Sequence, residues 1–112
     1  MPPEDLIRLK HMLEAAKKAV EFTRGKSEAD FSKDEKLALA LVRLLEIVGE
    51  AAKRVSEDIR KDHREIPWKE IAGTRDRLIH GYFDVDLEIV GKIVIQDLPK
   101  LITHLEKIIQ RK

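Results

Sequence analysis

From Leu37 to Ile59 an apolar residue returns every three or four positions: Leu37, Leu41, Leu44, Val48, Ala52, Val55 and Ile59, widened by Leu45 and Ala51. That period matches the 3.6 residues of a helical turn, so one side of a long helix has to be buried. The pattern predicts a helix from Lys33 to about Arg60. Ser32-Lys33-Asp34-Glu35 at its start has the form of a capping box, with Ser accepting from the first turn and Glu reaching back. Leu39 and Val42 extend the apolar surface around the start of this helix, as expected for one packed centrally or against another subunit.

The same spacing organises the remaining chain. Leu6, Leu9, Leu13, Ala16 and Val20 predict a helix from about Glu4 to Thr23, opened by Pro2-Pro3 and closed by Gly25. Residues 25–31 read as a polar connection, and the charged residues 60–65 as a loop ending at Ile66-Pro67. A third helix is expected from about Trp68 to His80, stopped by Gly81. A fourth starts after Asp84 or Asp86, with Val90, Val94, Leu98, Leu101, Leu105 and Ile108 on one side. Pro99 lies within it, so a kink or a restart capped by Asp97 is expected. The β-branched pairs at Ile89-Val90 and Ile93–Ile95 have no partner strand elsewhere, which favours helix. The expected fold is all-α, a bundle of four or five helices in a single domain over residues 1–112.

Composition narrows the chemistry. A chain of 112 residues supports one modest core. Cys is absent, which removes disulfides, a thiol nucleophile and thiolate metal sites and fits a reducing compartment. The longest apolar run, Leu37–Val42, is far too short for a membrane span, and residues 1–24 lack the apolar centre of a signal peptide; a cytoplasmic protein is expected. Charged residues are 38% of the chain but the net charge is +1, so contact with nucleic acid needs local clustering or a second subunit. The absence of Asn and the abundance of Lys, Glu and Arg resemble proteins from hot environments.

The residues that carry chemistry lie together in Arg75-Asp76-Arg77-Leu78-Ile79-His80-Gly81-Tyr82. A guanidinium grips phosphate through a planar fork of donors. An imidazole moves protons in either direction near neutral pH. Together they supply what RNA cleavage without a metal needs, a clamp on the phosphate and a proton shuttle. On a regular helix Arg75 and His80 lie about 140° apart. They converge only if the last turn is distorted, if the Arg side chain bends round, or if two subunits share a cleft. Glu46 and Glu50 stand at i,i+4 spacing and could be metal ligands, but ion pairs with Lys53, Arg54 or a partner subunit are favoured. His11, His63 and His104 are separated and read as surface residues, and Trp68 as core or interface. Lys53, Arg54, Arg60, Lys61 and Arg64 could flank an RNA path, although acids interleave with them.

Arg75-x4-His80-x-Tyr82 followed by Val85-Asp86, with Leu44–Arg54 around Gly49-Glu50 and Trp68 ahead of the motif, resembles HepT, the toxin of HepT–MntA toxin–antitoxin pairs in the HEPN superfamily of helical ribonucleases. The resemblance covers nearly the whole chain. It implies a dimeric HEPN-type bundle with the motif facing the interface, and Arg75 and His80 as the catalytic pair of a metal-independent endoribonuclease. It also implies that Tyr82 is adenylylated by a partner nucleotidyltransferase, the MntA-like antitoxin. Asp76 follows the Arg where relatives often carry another polar group, and could orient Arg75. Gly91 stands where many relatives have a large aromatic residue, so local packing should differ there. No cofactor is implied. The rival reading is a non-catalytic helical dimer that binds a nucleotide or a nucleotidyltransferase partner.

Overall fold

The computed structural model describes residues 1–80, the last through its backbone alone, and 84–110. The architecture is an all-α bundle. Helix α1 (Pro3–Phe22) lies against α3 (Glu35–Lys53) and α8 (Leu98–Gln110), and these three form the body of the molecule. Leu9, Met12, Leu41, Leu45 and Leu105 are buried between them. The expected stripes of α3 and of the C-terminal arm, with Val90, Val94 and Leu98, supply most of the core. On α1, by contrast, Leu6, Leu13 and Val20 are only partly buried, and Met12, Ala15 and Ala19 join Leu9 and Ala16 on the buried side.

The long second helix is interrupted. It stops at Lys53, and a separate helix α4 (Glu57–Asp62) begins after Ser56. The cause lies far away in sequence: the buried carboxylate of Asp5 accepts the Ser56 backbone N–H at 2.8 Å and its hydroxyl at 2.7 Å. Ser56 then caps α4 through Ile59 N–H. Arg60 closes the end of α3 by donating to the carbonyls of Val55 and Lys53. Val55 and Ile59 remain buried, so the apolar period runs on through a break in the backbone.

Other boundaries also move. Asp34, and not Ser32, caps α3 by accepting from Leu37 N–H. The expected polar connection contains a short helix α2 (Glu28–Phe31), with the capping box at Ser27 and Asp30. The Ser27 backbone N–H donates to Asp30 and holds that carboxyl below its usual range. Phe31 from α2 is fully buried and fills the space beside Gly91. A Cβ on Gly91 would come within 3.1 Å of the Phe31 ring and 2.8 Å of Glu28 Cγ. Phe31 thus packs directly onto Gly91, and a side chain at position 91 would collide with its ring.

Helix α7 (Leu87–Lys92) is capped by Asp86, as one of the two expected residues. The expected break ahead of Pro99 is present: α8 restarts at Leu98 directly after Asp97, with Asp97 itself inside a helical turn. A π-helical turn over Ile93–Asp97 carries the chain into α8. Proline has no N–H and its ring crowds the carbonyl four residues back, and a wider turn relieves both problems.

Candidate active site

The expected third helix is divided into three parts: α5 (Trp68–Ala72), α6 (Thr74–Leu78) and an extended pair of residues, β1 (Ile79–His80). Trp68 anchors the first part, being buried and donating its indole N–H to His63 O at 2.9 Å. His63 is correspondingly tucked in, with only 17% of its side chain exposed, and is not the free surface residue expected. Thr74, also buried, joins α5 to α6 by donating to Ile71 O at 2.7 Å.

Gly49 sets the distance between this segment and the body. A Cβ there would lie 2.9 Å from the carbonyl oxygen of Ile71, so only glycine lets α5 approach α3 this closely. Glu46, one turn earlier on α3, then reaches α6, and its Oε2 accepts from Arg75 Nε at 3.1 Å. Reasoning from sequence misses this pair, because it sets Glu46 only against Lys53, Arg54, a metal or a partner subunit. The spacing between positions 46 and 75 carries no signal, since the pairing depends on how two helices pack.

The Arg75 side chain is 67% exposed, and Glu46 holds it through one of its five N–H donors. An exposed pair of this kind adds little stability, about 1 kcal/mol or less. Its effect is to orient the guanidinium plane. Asp76 is exposed, and its side chain forms no ion pair or hydrogen bond among the described residues. Among those residues no group of three or more His, Asp or Glu is arranged to hold a metal.

After Leu78 the helix ends, with Ile79 in extended conformation. Ile79 pairs with Val85 and His80 with Asp84 in a two-residue antiparallel ladder with β2 (Asp84–Val85). Asp86 N–H donates to Leu78 O at 2.8 Å and closes the far end of the same turn. Of the three routes to convergence, distortion of the last turn is present, so the 140° separation of a regular helix does not apply. The structure adds strand pairing that the sequence does not suggest. The imidazole of His80 and all of Tyr82 lie outside the described residues.

Among the five basic residues considered for an RNA path, Arg60 is engaged with backbone carbonyls and Lys53 lies 3.9 Å from Glu50. Arg54 instead faces a groove between α1 and α3, with Arg8, His11 and Arg43. A larger and mainly apolar cavity of about 500 Å³ lies on another side, lined by Leu45, Val48, Ile71, Ile93 and Leu101. No described helix is long and apolar enough to cross a membrane.

Residues 12–108, which include the whole motif, match the family described as "Ribonuclease HepT-like". A protein of Thermococcus cleftensis named "Probable ribonuclease HepT" is 44% identical over 100 residues, covering 89% of this chain and 91% of the relative. A protein of Caldanaerobacter subterraneus subsp. tengcongensis is 41% identical over 104 residues, 93% of each chain. One from Methanocaldococcus jannaschii is 40% identical over 111 residues, 98% of this chain and 92% of its own. Both of these are provisionally named as RNases. No solved structure matches. With its helical bundle and its Arg-x4-His-x-Tyr segment, the chain belongs to the HepT-like ribonuclease family.

Proposed function

We propose that this protein is a toxin-type endoribonuclease that cleaves RNA without a metal, using Arg75 and His80. The observation that carries the reading is the exposed Arg75 guanidinium, oriented by Glu46 on a helix that ends two residues before His80. Family membership supplies the activity class. In the reaction the 2′-hydroxyl of the RNA attacks the adjacent phosphorus and the bond to the 5′-oxygen breaks. The products are a cyclic phosphate and a 5′-hydroxyl. One proton leaves the attacking hydroxyl and one reaches the departing oxygen, and His80 serves at one of these steps. Arg75 stabilises the charge gathered on the phosphate oxygens. Asp76, next to Arg75, is assigned a supporting role in the electrostatics of that clamp.

Tyr82 is the regulatory residue in this reading. A partner nucleotidyltransferase of the MntA type would adenylylate its hydroxyl, placing bulk and a negative charge two residues from His80. The added phosphate would also compete for Arg75. A homodimer fits the apolar surface left outside the core, where Leu39 is 60% exposed and Ile7 48%. It would bring both copies of residues 75–82 towards one cleft.

The test is RNA cleavage in the presence of a chelator, with product ends identified by mass spectrometry. Wild type should cleave and leave cyclic phosphates, and Tyr82→Phe should cleave equally while escaping silencing by the partner enzyme and ATP. Absence of cleavage by wild type would favour a non-catalytic dimer that only binds its partner. AMP mapped to another residue would remove Tyr82 from the account.

A further inference from the structure

Three arginines converge on the groove between α1 and α3 without an ion pair among the described residues. They are Arg8 from α1, Arg43 from α3 and Arg54 at the C-cap of α3, and His11 lies beside them. The groove has a volume of about 210 Å³, and half-buried Ile47 lies along it. Its one carboxylate, Glu50, is directed to Lys53 at 3.9 Å. The chain as a whole has a net charge of only +1, so unpaired arginines gathered in one place mark an anion site rather than a generally basic protein.

The shape of the array indicates the kind of anion. Arg43 and Arg54 are eleven positions apart along α3 and its cap, roughly 16 Å at 1.5 Å per residue. A chain of phosphates can follow a row of this length, with each arginine meeting a different phosphate. Glu46, which holds Arg75, lies between them on α3. Among the described residues the groove lining contains no Phe, Tyr or Trp, and its one ring is the imidazole of His11. Contacts from the three arginines would fall on the sugar–phosphate backbone and carry little sequence information.

Resting on the ribonuclease reading above, we propose that Arg8, Arg43 and Arg54 form a track for the phosphodiester backbone of single-stranded RNA, running along α3 past Arg75. The track supplies affinity away from the scissile bond. It gives a protein of nearly neutral charge the local field that binding a polyanion requires.

The test uses a short fluorescent single-stranded RNA of mixed sequence and full-length protein carrying His80→Ala to prevent turnover. Binding is followed by anisotropy over a range of salt concentrations. Arg8→Ala with Arg43→Ala should weaken binding roughly tenfold or more. It should also flatten the dependence of log affinity on log salt by about 0.7 for each phosphate that is no longer neutralised. Lys92→Ala with Lys107→Ala, which removes the same charge from elsewhere, should change neither quantity. Circular dichroism and melting of each variant establish that it is folded, and Arg8→Lys with Arg43→Lys should restore most of the affinity. Unchanged affinity and slope in the double alanine variant, while wild type still cleaves RNA, would overturn the track and leave the ribonuclease reading intact. An equal weakening in the Lys92 and Lys107 control would also overturn it. A wild type that neither binds nor cleaves RNA would overturn both.

Discussion

The body of the molecule and the segment from Trp68 to Asp86 follow different rules. In the body, α1, α3 and α8 meet through continuous apolar stripes, Phe31 of α2 joins the same core, and side chains such as Leu9, Met12 and Leu105 are fully buried. In the motif segment the backbone changes state every few residues, from α5 to α6 to a two-residue ladder, and Arg75 and Asp76 are exposed on it. Burial supports the first region. The second is positioned by particular interactions: Gly49 against Ile71 O, Thr74 onto Ile71 O, Glu46 to Arg75 and Asp86 onto Leu78 O. The difference separates stability from chemistry. Substitutions of buried apolar side chains in the body should alter melting and leave the reaction alone, whereas those of exposed residues in the segment should do the reverse.

The largest effect is expected at His80. His80→Ala should lower the rate of RNA cleavage by at least about 10²-fold, the scale of removing a proton-transfer group, with little change in melting. Retained activity would break the comparison at its functional end. Phe31→Ala should have the largest effect on stability, about 3–5 kcal/mol in denaturant unfolding, because the ring is fully buried against Gly91. Asp5→Ala should cost about 1–3 kcal/mol, since it removes the acceptor of two Ser56 bonds.

Gly49→Ala is expected to act on both regions, and so to sharpen the comparison. The added methyl has to displace the Ile71 carbonyl, costing about 1–3 kcal/mol and moving Arg75 away from Glu46. Cleavage per folded molecule should fall with it. The smallest effect is expected for Glu46→Gln, which retains a hydrogen-bond acceptor for Arg75 while removing the charge. Stability should change by less than about 1 kcal/mol and the cleavage rate by at most about fivefold.

The body was legible in the sequence because helical period reports burial directly. Leu37, Leu41, Leu45 and Val48 on α3, and Val94, Leu98, Leu101 and Leu105 in the C-terminal arm, are core residues in the structure. The breaks were harder to read. The period continues through Val55 and Ile59 although the helix does not, because the break depends on a carboxylate 51 positions away from Ser56. Phe31 reads as part of a polar connection, since a single aromatic has no period. Arg75 and His80 stand out by residue type and spacing. Their supports, Glu46 and the β1–β2 ladder, arise from tertiary packing and turn closure, and neither is carried by a local pattern. The motif itself gives no sign that α6 ends at Leu78.

The central claim is best tested by measuring melting and RNA cleavage together for Arg75→Ala and Phe31→Ala. Arg75→Ala should melt with the wild type, because its side chain is mostly exposed, and its cleavage rate should fall by orders of magnitude. Phe31→Ala should melt well below the wild type yet cleave at the wild-type rate wherever it remains folded. An Arg75→Ala protein that is folded and fully active, or a folded Phe31→Ala protein that is inactive, would contradict the division of the molecule into a stabilising body and a catalytic segment.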